Sequence, residues 1–340
     1  MIKKFLIILT TLTLVISLAG CGTKANTPST AKEKTKVSLA LLRLTSSAPL
    51  FISMEKGYFA EENIDISPEW FDAAQPIAVA TASGKVDVGA TGITASLYNM
   101  AAAGQKIAIV ADKGREEKGF SSSALLVTKP LYDSGVNSVP AIKGKRIGIT
   151  QKGSTFHYML GRILEVNGLS LNDVELVPLG KLSAIMAALQ SGQIDGCILN
   201  EPNITKVETA GYGKTVVQIG ELIPYQTSGL FFSSSFTQKQ DLAVRFMRAY
   251  VKACNYYYDN AIRNTSPEKK AEIIKIISKY TNAPENDVKL GLPYIDRNGE
   301  LLTSDIKTQI DWYRDHDMLK GNLQKEQIVN NTFLEKALKK

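Results

Sequence analysis

TASGKVDVGATG (residues 81–92) and LQSGQIDGCILN (residues 189–200) carry nearly the same phrase at two places in the chain. Each ends a helix-compatible run with Ser-Gly, passes one variable residue and a β-branched aliphatic, and then reaches Asp and a short strand-like stretch. Glycine just past a helix end suits the left-handed C-cap position. Asp87 and Asp195 each start a strand beside that turn, and small residues follow where another backbone must come close. A unit of this kind repeated predicts two similar lobes, each an open α/β sheet. In such sheets ligands sit beyond the carboxyl ends of the strands, so two lobes facing each other make a cleft.

Reading outward from the first phrase, strands are expected at Val37–Leu42, within NIDISPEWF, in VDVGATG and in KIAIVAD. Helices are expected at Leu50–Phe59, from the Asp72-Ala73-Ala74-Gln75 segment to Ser83-Gly84, and at Ile93–Ala103. Around the second phrase the pattern restarts: a strand in KGKRIGIT, a helix Phe156–Asn167 capped by Gly153-Ser154-Thr155, a strand in DVELVPLG, a helix Leu182–Gln190 and a strand in IDGCIL. Strands alternating with helices argue for parallel pairing and an α/β sheet. SSALLVTK (Ser122–Lys129) and GLFFSS (Gly229–Ser234) are candidate crossing strands, and the tail from Gln238 has helical apolar spacing.

The chain opens MIKKFLIILTTLTLVISLAGCG, a basic start, a short apolar core and small residues before a cut, as in a secretory signal. The apolar run is shorter than the roughly 20 residues of a membrane span. Ala19-Gly20 directly before Cys21 resembles the bacterial lipoprotein cleavage box, which implies Cys21 as a lipid-carrying N-terminus. The alternative is an ordinary signal followed by a chance cysteine. Gly22 to Lys36 is polar, without aromatic residues, and reads as a flexible tether. The organisation expected is a signal over 1–20, a tether over 21–36, the first part of lobe 1 over 37–121, lobe 2 with crossing segments over 122–228, and a return to lobe 1 with C-terminal helices over 229–340.

The 44% hydrophobic and 21% charged residues are ordinary for a globular protein. The formal net charge is +7, but the basic residues alternate with acids, as in KAEIIKIISKY. That pattern gives solvated helix faces and argues against a nucleic-acid partner. Beyond Cys21 only Cys197 and Cys254 remain. Nothing in their spacing supports a disulfide, and two buried thiols are expected.

MEKGYFAEENIDI (Met54–Ile66), TASGKVDVGATG, IKGKRIGIT, KGSTFHYML and SGQIDGCILNEP, in that order, resemble the ABC-transporter solute-binding proteins for aliphatic sulfonates, taurine and nitrate. The same superfamily includes binding proteins for pyrimidine precursors of thiamine. The resemblance implies a type II periplasmic-binding fold: two α/β lobes joined by crossing strands, with a helical C-terminal tail. It implies a monomer, anchored through Cys21 on the outer face of the bacterial cell membrane, that closes on a small solute and hands it to an ABC permease and its ATPase. No cofactor, metal or catalytic residue is implied.

The resemblance places the site on loops that follow strands: Ser46-Ser47-Ala48, Asp72 to Gln75, Thr91-Gly92, Ser154-Thr155-Phe156-His157 and Asn200-Glu201-Pro202. Ser154 and Thr155 open a helix, where free N–H groups and the positive dipole end favour an anion; as an N-cap Ser154 would need no ligand at all. Thr91-Gly92 is expected to open Ile93–Ala103 in the same way. Asp72 and Glu201 suit an ammonium or ring N–H groups, although Glu201 could equally pair with the other lobe or the permease. Arg43 is either a neutraliser of an anion or a solvated side chain. His157 is expected in the cleft or on a helix face, and not on a metal, because His316 lies far along the tail. Tyr225 is expected to stack on a ligand ring or simply to pack.

Two rival readings remain. A lipid-anchored sensor reporting to a membrane kinase would have the same sequence. An enzyme like the eukaryotic pyrimidine-precursor synthase would need a cysteine-rich active-site segment, and there is none here; nor is there a G-x-S-x-G elbow.

Overall fold

The computed structural model describes residues 34–339, which excludes the signal, Cys21 and most of the expected tether. Among these residues ten strands build two sheets. In chain order they are β1 (Thr35–Leu42), β2 (Ile64–Phe71), β3 (Val88–Gly92), β4 (Ala108–Glu116), β5 (Ser123–Thr128), β6 (Arg146–Ile149), β7 (Glu175–Pro178), β8 (Gly196–Asn200), β9 (Gly213–Gln218) and β10 (Tyr225–Phe232).

The sheet orders are β2-β1-β3-β10-β4 and β7-β6-β8-β5-β9. They have the same design. Three strands run parallel at one side, and one strand from the other half of the chain enters antiparallel: β10 beside β3 and β4, β5 beside β8 and β9. The expectation of parallel pairing therefore holds for β1–β3 and β6–β8, and the two crossing segments make both sheets mixed.

β1 shows why these segments are strands. Val37, Leu39 and Leu41 face one apolar cluster, with helices Ala48–Glu55 and Gln240–Tyr257. Ala40 and Leu42 face another, with Ile77 and Val86. Both faces of the strand are covered, so period-2 alternation carries apolar side chains to each. Each fully buried Leu or Val contributes about 1.5–3 kcal/mol.

The twin phrases have twin structures. Helices Ala74–Ala82 and Leu182–Gln190 end just before Gly84 and Gly192, whose φ values are 74° and 73°. The small residues after each Asp are sterically required. A Cβ on Gly89 would lie 2.3 Å from Thr81 Oγ1, and one on Gly196 2.6 Å from the Leu126 carbonyl oxygen.

Some elements depart from expectation. The Leu50–Phe59 helix is two, Ala48–Glu55 and Tyr58–Glu61, broken at Gly57 with φ 74°. The helix expected from Ile93 spans Ala95–Ala102, and Thr94, not Thr91-Gly92, caps it by accepting from Leu97 N at 3.3 Å. Thr91 stays within β3, because that strand continues to Gly92. The crossing strand expected from Gly229 begins at Tyr225, and KIAIVAD continues to Glu116. Sequence reading missed β9.

One tail helix, Thr303–Asp315, ties the two sheets together. Its Trp312 and Tyr313 pack on Tyr158 of the second half, with ring centroids at 5.0 and 5.6 Å, and Tyr313 also meets Tyr98 of the first half at 5.9 Å. Cys197 on β8 and Cys254 on helix Gln240–Tyr257 are buried, unpaired, and in separate apolar clusters. Among the described residues no helix is long and apolar enough to cross a membrane.

Candidate functional site

The carboxyl ends of the parallel strands of both sheets converge on one cavity, which holds about 50 Å³ of free space. At about 10–15 Å³ per water-sized sphere, that accommodates a solute of a few non-hydrogen atoms in the present shape. From the first sheet it is lined by Ser46, by Asp72, Ala73, Ala74 and Gln75 after β2, by Gly92 at the end of β3 and by Thr94 just beyond it. From the second come Gln151, Ser154, Thr155 and Phe156 after β6, Asn200 at the end of β8 and Glu201 just beyond it. The two sides touch around it. Ala95 N donates to the Gly153 carbonyl at 2.9 Å, Thr45 N reaches the Glu201 carbonyl at 3.5 Å, and a Cβ on Gly92 would lie 2.6 Å from Thr155 Cγ2.

The structure thus brings together eight of the sequence-derived candidates: Ser46, Asp72, Gln75, Gly92, Ser154, Thr155, Asn200 and Glu201. Ser154 does both things weighed for it. Its Oγ accepts from His157 N at 3.2 Å as the N-cap of helix Thr155–Glu165, and the residue lines the cavity. Asn200 Nδ2 donates to Ser123 Oγ at 2.8 Å, and Ser123 Oγ donates to Glu116 at 2.6 Å.

Four candidates lie off the cavity wall. Ser47 is buried, and its hydroxyl donates to the Leu42 carbonyl at 3.1 Å. Thr91 is fully buried in β3. His157 faces the tail: Nδ1 accepts from Gly153 N at 3.0 Å, the ring meets Trp312 edge-on, and burial pushes its pKa down to about 4. His316, far away in sequence, stacks on the other side of that region against Trp312 at 4.0 Å. Tyr225 packs on Tyr158 with centroids 4.6 Å apart, which favours the packing role over stacking on a ligand. Arg43 also points elsewhere, its guanidinium 4.0 Å above the Trp70 ring and its Nη1 donating to the Tyr280 carbonyl.

The cation on the wall is one that sequence reading passed over. Lys113 lies in the extension of β4 that was not expected, and its Nζ donates to Ser46 Oγ at 2.9 Å. The pairing explains its aim. Gly229 faces Asp112 and Ser228 faces Gly114, so Lys113 is an extra residue in a β-bulge, and bulges re-aim side chains beside sites. Gly114 takes φ 140°, a value that side-chain-bearing residues avoid. The signal available in the sequence was a charged residue followed by Gly inside a continuing strand. Thr227 and Ser228 of β10 line the cavity as well and were also missed.

Glu201 is the buried carboxylate of the site. Its oxygens accept from Thr205 N and Thr205 Oγ1, both at 3.1 Å, yet burial still pushes its pKa up to about 7. Glu116, fully buried, accepts from the Ser121, Ser122 and Ser123 hydroxyls, and burial raises its pKa too. The wall therefore offers one ammonium, a ring of hydroxyls and amides, a carboxylate close to its titration point, and an apolar side made by Leu42, Leu44, Phe156 and Leu182. That is a surface for holding and desolvating a small polar molecule. Among the described residues no cluster of His, Cys, Asp and Glu could hold a metal ion.

A model of the NMT1-like family matches residues 30–278 of the chain. The taurine-binding periplasmic protein of Escherichia coli K12 is 29% identical over 259 residues, 74% of this chain and 75% of that protein. Two solved structures have the same fold. The periplasmic nitrate-binding protein NrtA of Synechocystis PCC 6803 matches with TM-score 0.75 and 14% identity, over 90% of this chain and 89% of its own. The alkanesulfonate-binding protein SsuA of Xanthomonas axonopodis pv. citri, bound to MOPS, matches with TM-score 0.71 and 20% identity, over 88% and 99%. The two-lobed α/β architecture and the resemblance expected from the five motifs are both borne out.

Proposed function

The chain belongs to the NMT1-like family, and on that premise we propose that it is the extracytoplasmic solute-binding lipoprotein of an ABC importer. The observation that carries this reading is the cavity itself, built from strand ends of both sheets and closed by contacts between them. A solute there touches both lobes at once, so its binding energy favours the closed form over the open one by its differential affinity for the two. The closed form is what a permease and its ATPase would recognise.

The relatives and the chemistry of the wall support a solute class. Small sulfonates, nitrate-like anions and pyrimidine-type rings are the candidates. Lipidation at Cys21 would hold the protein at the outer face of the cell membrane; two acyl signals give the stable anchoring that one does not. The role is capture and delivery, not catalysis.

Thermal unfolding of the purified protein against taurine, alkane- and arylsulfonates, nitrate, bicarbonate and thiamine-pathway pyrimidines tests this reading. A solute at about 100 times its Kd stabilises by roughly 2.7 kcal/mol, a rise of several degrees in a protein of this size. A shift with one class identifies the solute. No shift with any member overturns these solute classes and leaves a solute outside the panel or the sensor reading.

A further inference from the structure

Among the residues that line the cavity, Lys113 is the single Lys or Arg. The side chain is almost fully buried, at 1% exposure. An ammonium has three N–H donors, and here one goes to Ser46 Oγ at 2.9 Å. Lys113 makes no ion pair among the described residues. Its neighbour Asp112 is already committed: Oδ1 accepts from Gly114 N and Gln226 Nε2, and Oδ2 from Asp296 N, all at 2.7 Å. A buried charge is costly unless it is paired and hydrogen-bonded. The bulge in β4 nevertheless delivers this one to the cavity wall.

We propose that Lys113 is the anion-pairing group of the cavity: the captured solute carries an acidic group, and that group seats on the Lys113 ammonium beside Ser46. The proposal rests on the solute-binding reading above and narrows it. Sulfonates, carboxylates and oxyanions such as nitrate fit, and an uncharged pyrimidine does not.

Capture is then linked to protons. Burial lowers the Lys113 pKa to about 7, with Asp112 acting in the opposite sense. An anion bound to the ammonium favours the charged form, so above pH 7 each capture takes up a proton. The other ionisable groups facing the cavity are Asp72 and Glu201. The other charged residues of β4 are Asp112, Arg115 and Glu116, while β10 and the Thr45–Ser47 turn present hydroxyls and the Gln226 amide. Helix Thr303–Asp315 adds Asp305, which accepts from Gln226 N. Glu201 also titrates near neutrality, and Glu201→Gln removes its share of any proton uptake.

The test is isothermal titration of the full protein with methanesulfonate, taurine, nitrate and a neutral aminopyrimidine, at pH 6 and pH 9, in two buffers of different ionisation enthalpy. At least one anion should bind, with a Kd that rises about tenfold per pH unit above 7. Proton uptake should persist in Glu201→Gln and vanish when Lys113→Met is added to it. Lys113→Met should weaken the anion on the order of 100-fold, the loss of a charge-assisted contact. Should Lys113→Met fail to fold, the pH dependence of Glu201→Gln, in which Lys113 is the remaining group of the wall held near 7, still decides. An anion bound equally at pH 6 and pH 9 without proton uptake overturns the proposal and leaves solute binding standing. Binding of the neutral ring alone does the same. Binding of nothing overturns both.

Discussion

Asp195 accepts the backbone N–H of Arg146 at 2.8 Å from 49 residues along the chain. Asp87 accepts the Ser38 N–H at 3.1 Å across the same 49 residues. In each half the Asp before one strand locks the neighbouring strand in register, which is the physical content of the repeated phrase. The Arg146 side chain adds two further hydrogen bonds to Asp195, at 3.1 and 2.8 Å.

Replacing Asp195 with Ala should therefore destabilise the second sheet, on the order of 1 kcal/mol given the partial exposure of the pair. Hydrogen bonding from Arg146 holds the Asp195 carboxyl below the usual carboxylate range. A depressed carboxyl contributes stability that is present above the unfolded pKa of about 3.9 and disappears as pH falls through the folded value. Urea unfolding of the two proteins at pH 7 and pH 3 checks both statements: the gap between them should narrow at the lower pH.

The pair Glu201 and Lys113 should give the solute-free protein a dip in stability near neutral pH. Burial holds Glu201 at about 7, above its ordinary value of 4.5. Between those limits the folded state keeps a proton the unfolded state has lost, so stability falls as pH rises. Lys113 is held at about 7, below its ordinary 10.5. Above 7 the unfolded state keeps the proton that the folded state sheds, so stability recovers. Each contribution is on the order of a few kcal/mol. Glu201→Gln should flatten the acidic limb and Lys113→Met the alkaline limb, as read by thermal unfolding from pH 5 to pH 10. A monotonic profile would rule the pair out as determinants.

Most of this architecture is legible in the sequence because it is local. Helix ends before Gly84 and Gly192, strand starts just after Asp87 and Asp195, and the Ser154 cap each depend on a few adjacent residues. The cavity candidates come from the resemblance, which places the site on loops after strands, where open α/β sheets hold ligands. What escaped is set by pairing across the chain. Lys113 reads as a loop residue until β10, more than a hundred positions later, pairs with β4 through a bulge. Tyr225 and His157 sit near the cleft in sequence terms, but helix Thr303–Asp315 supplies Trp312 and Tyr313, whose aromatic cluster with Tyr158 takes them up. No local pattern announces that cluster.

Cys197 and Cys254 should resist modification in the native protein. Both are fully buried, they lie in different apolar clusters, and burial pushes both thiols up, away from the reactive thiolate. Iodoacetamide should label neither in native buffer and both in denaturant without reductant. A cross-linked peptide in a non-reduced digest would contradict this.

Closure of the cleft should depend on Gly92 lacking a side chain. Gly92 ends β3 on one side of the cavity, and Thr155 opens a helix on the other. An added Cβ would meet the Thr155 methyl at 2.6 Å, inside the distance real carbon contacts tolerate. Gly92 does not adopt a left-handed backbone angle, so Gly92→Ala brings no conformational penalty and acts through that contact. The expected result is a solute affinity at least tenfold weaker, since part of the binding energy must now force the lobes together, with an unchanged far-ultraviolet spectrum. The compensating change is specific. Thr155→Ser removes the offending methyl and keeps the hydroxyl, so Gly92→Ala with Thr155→Ser should regain most of the affinity while Thr155→Ser alone changes little. If the double variant binds no better than Gly92→Ala, the contact between these two residues does not govern closure.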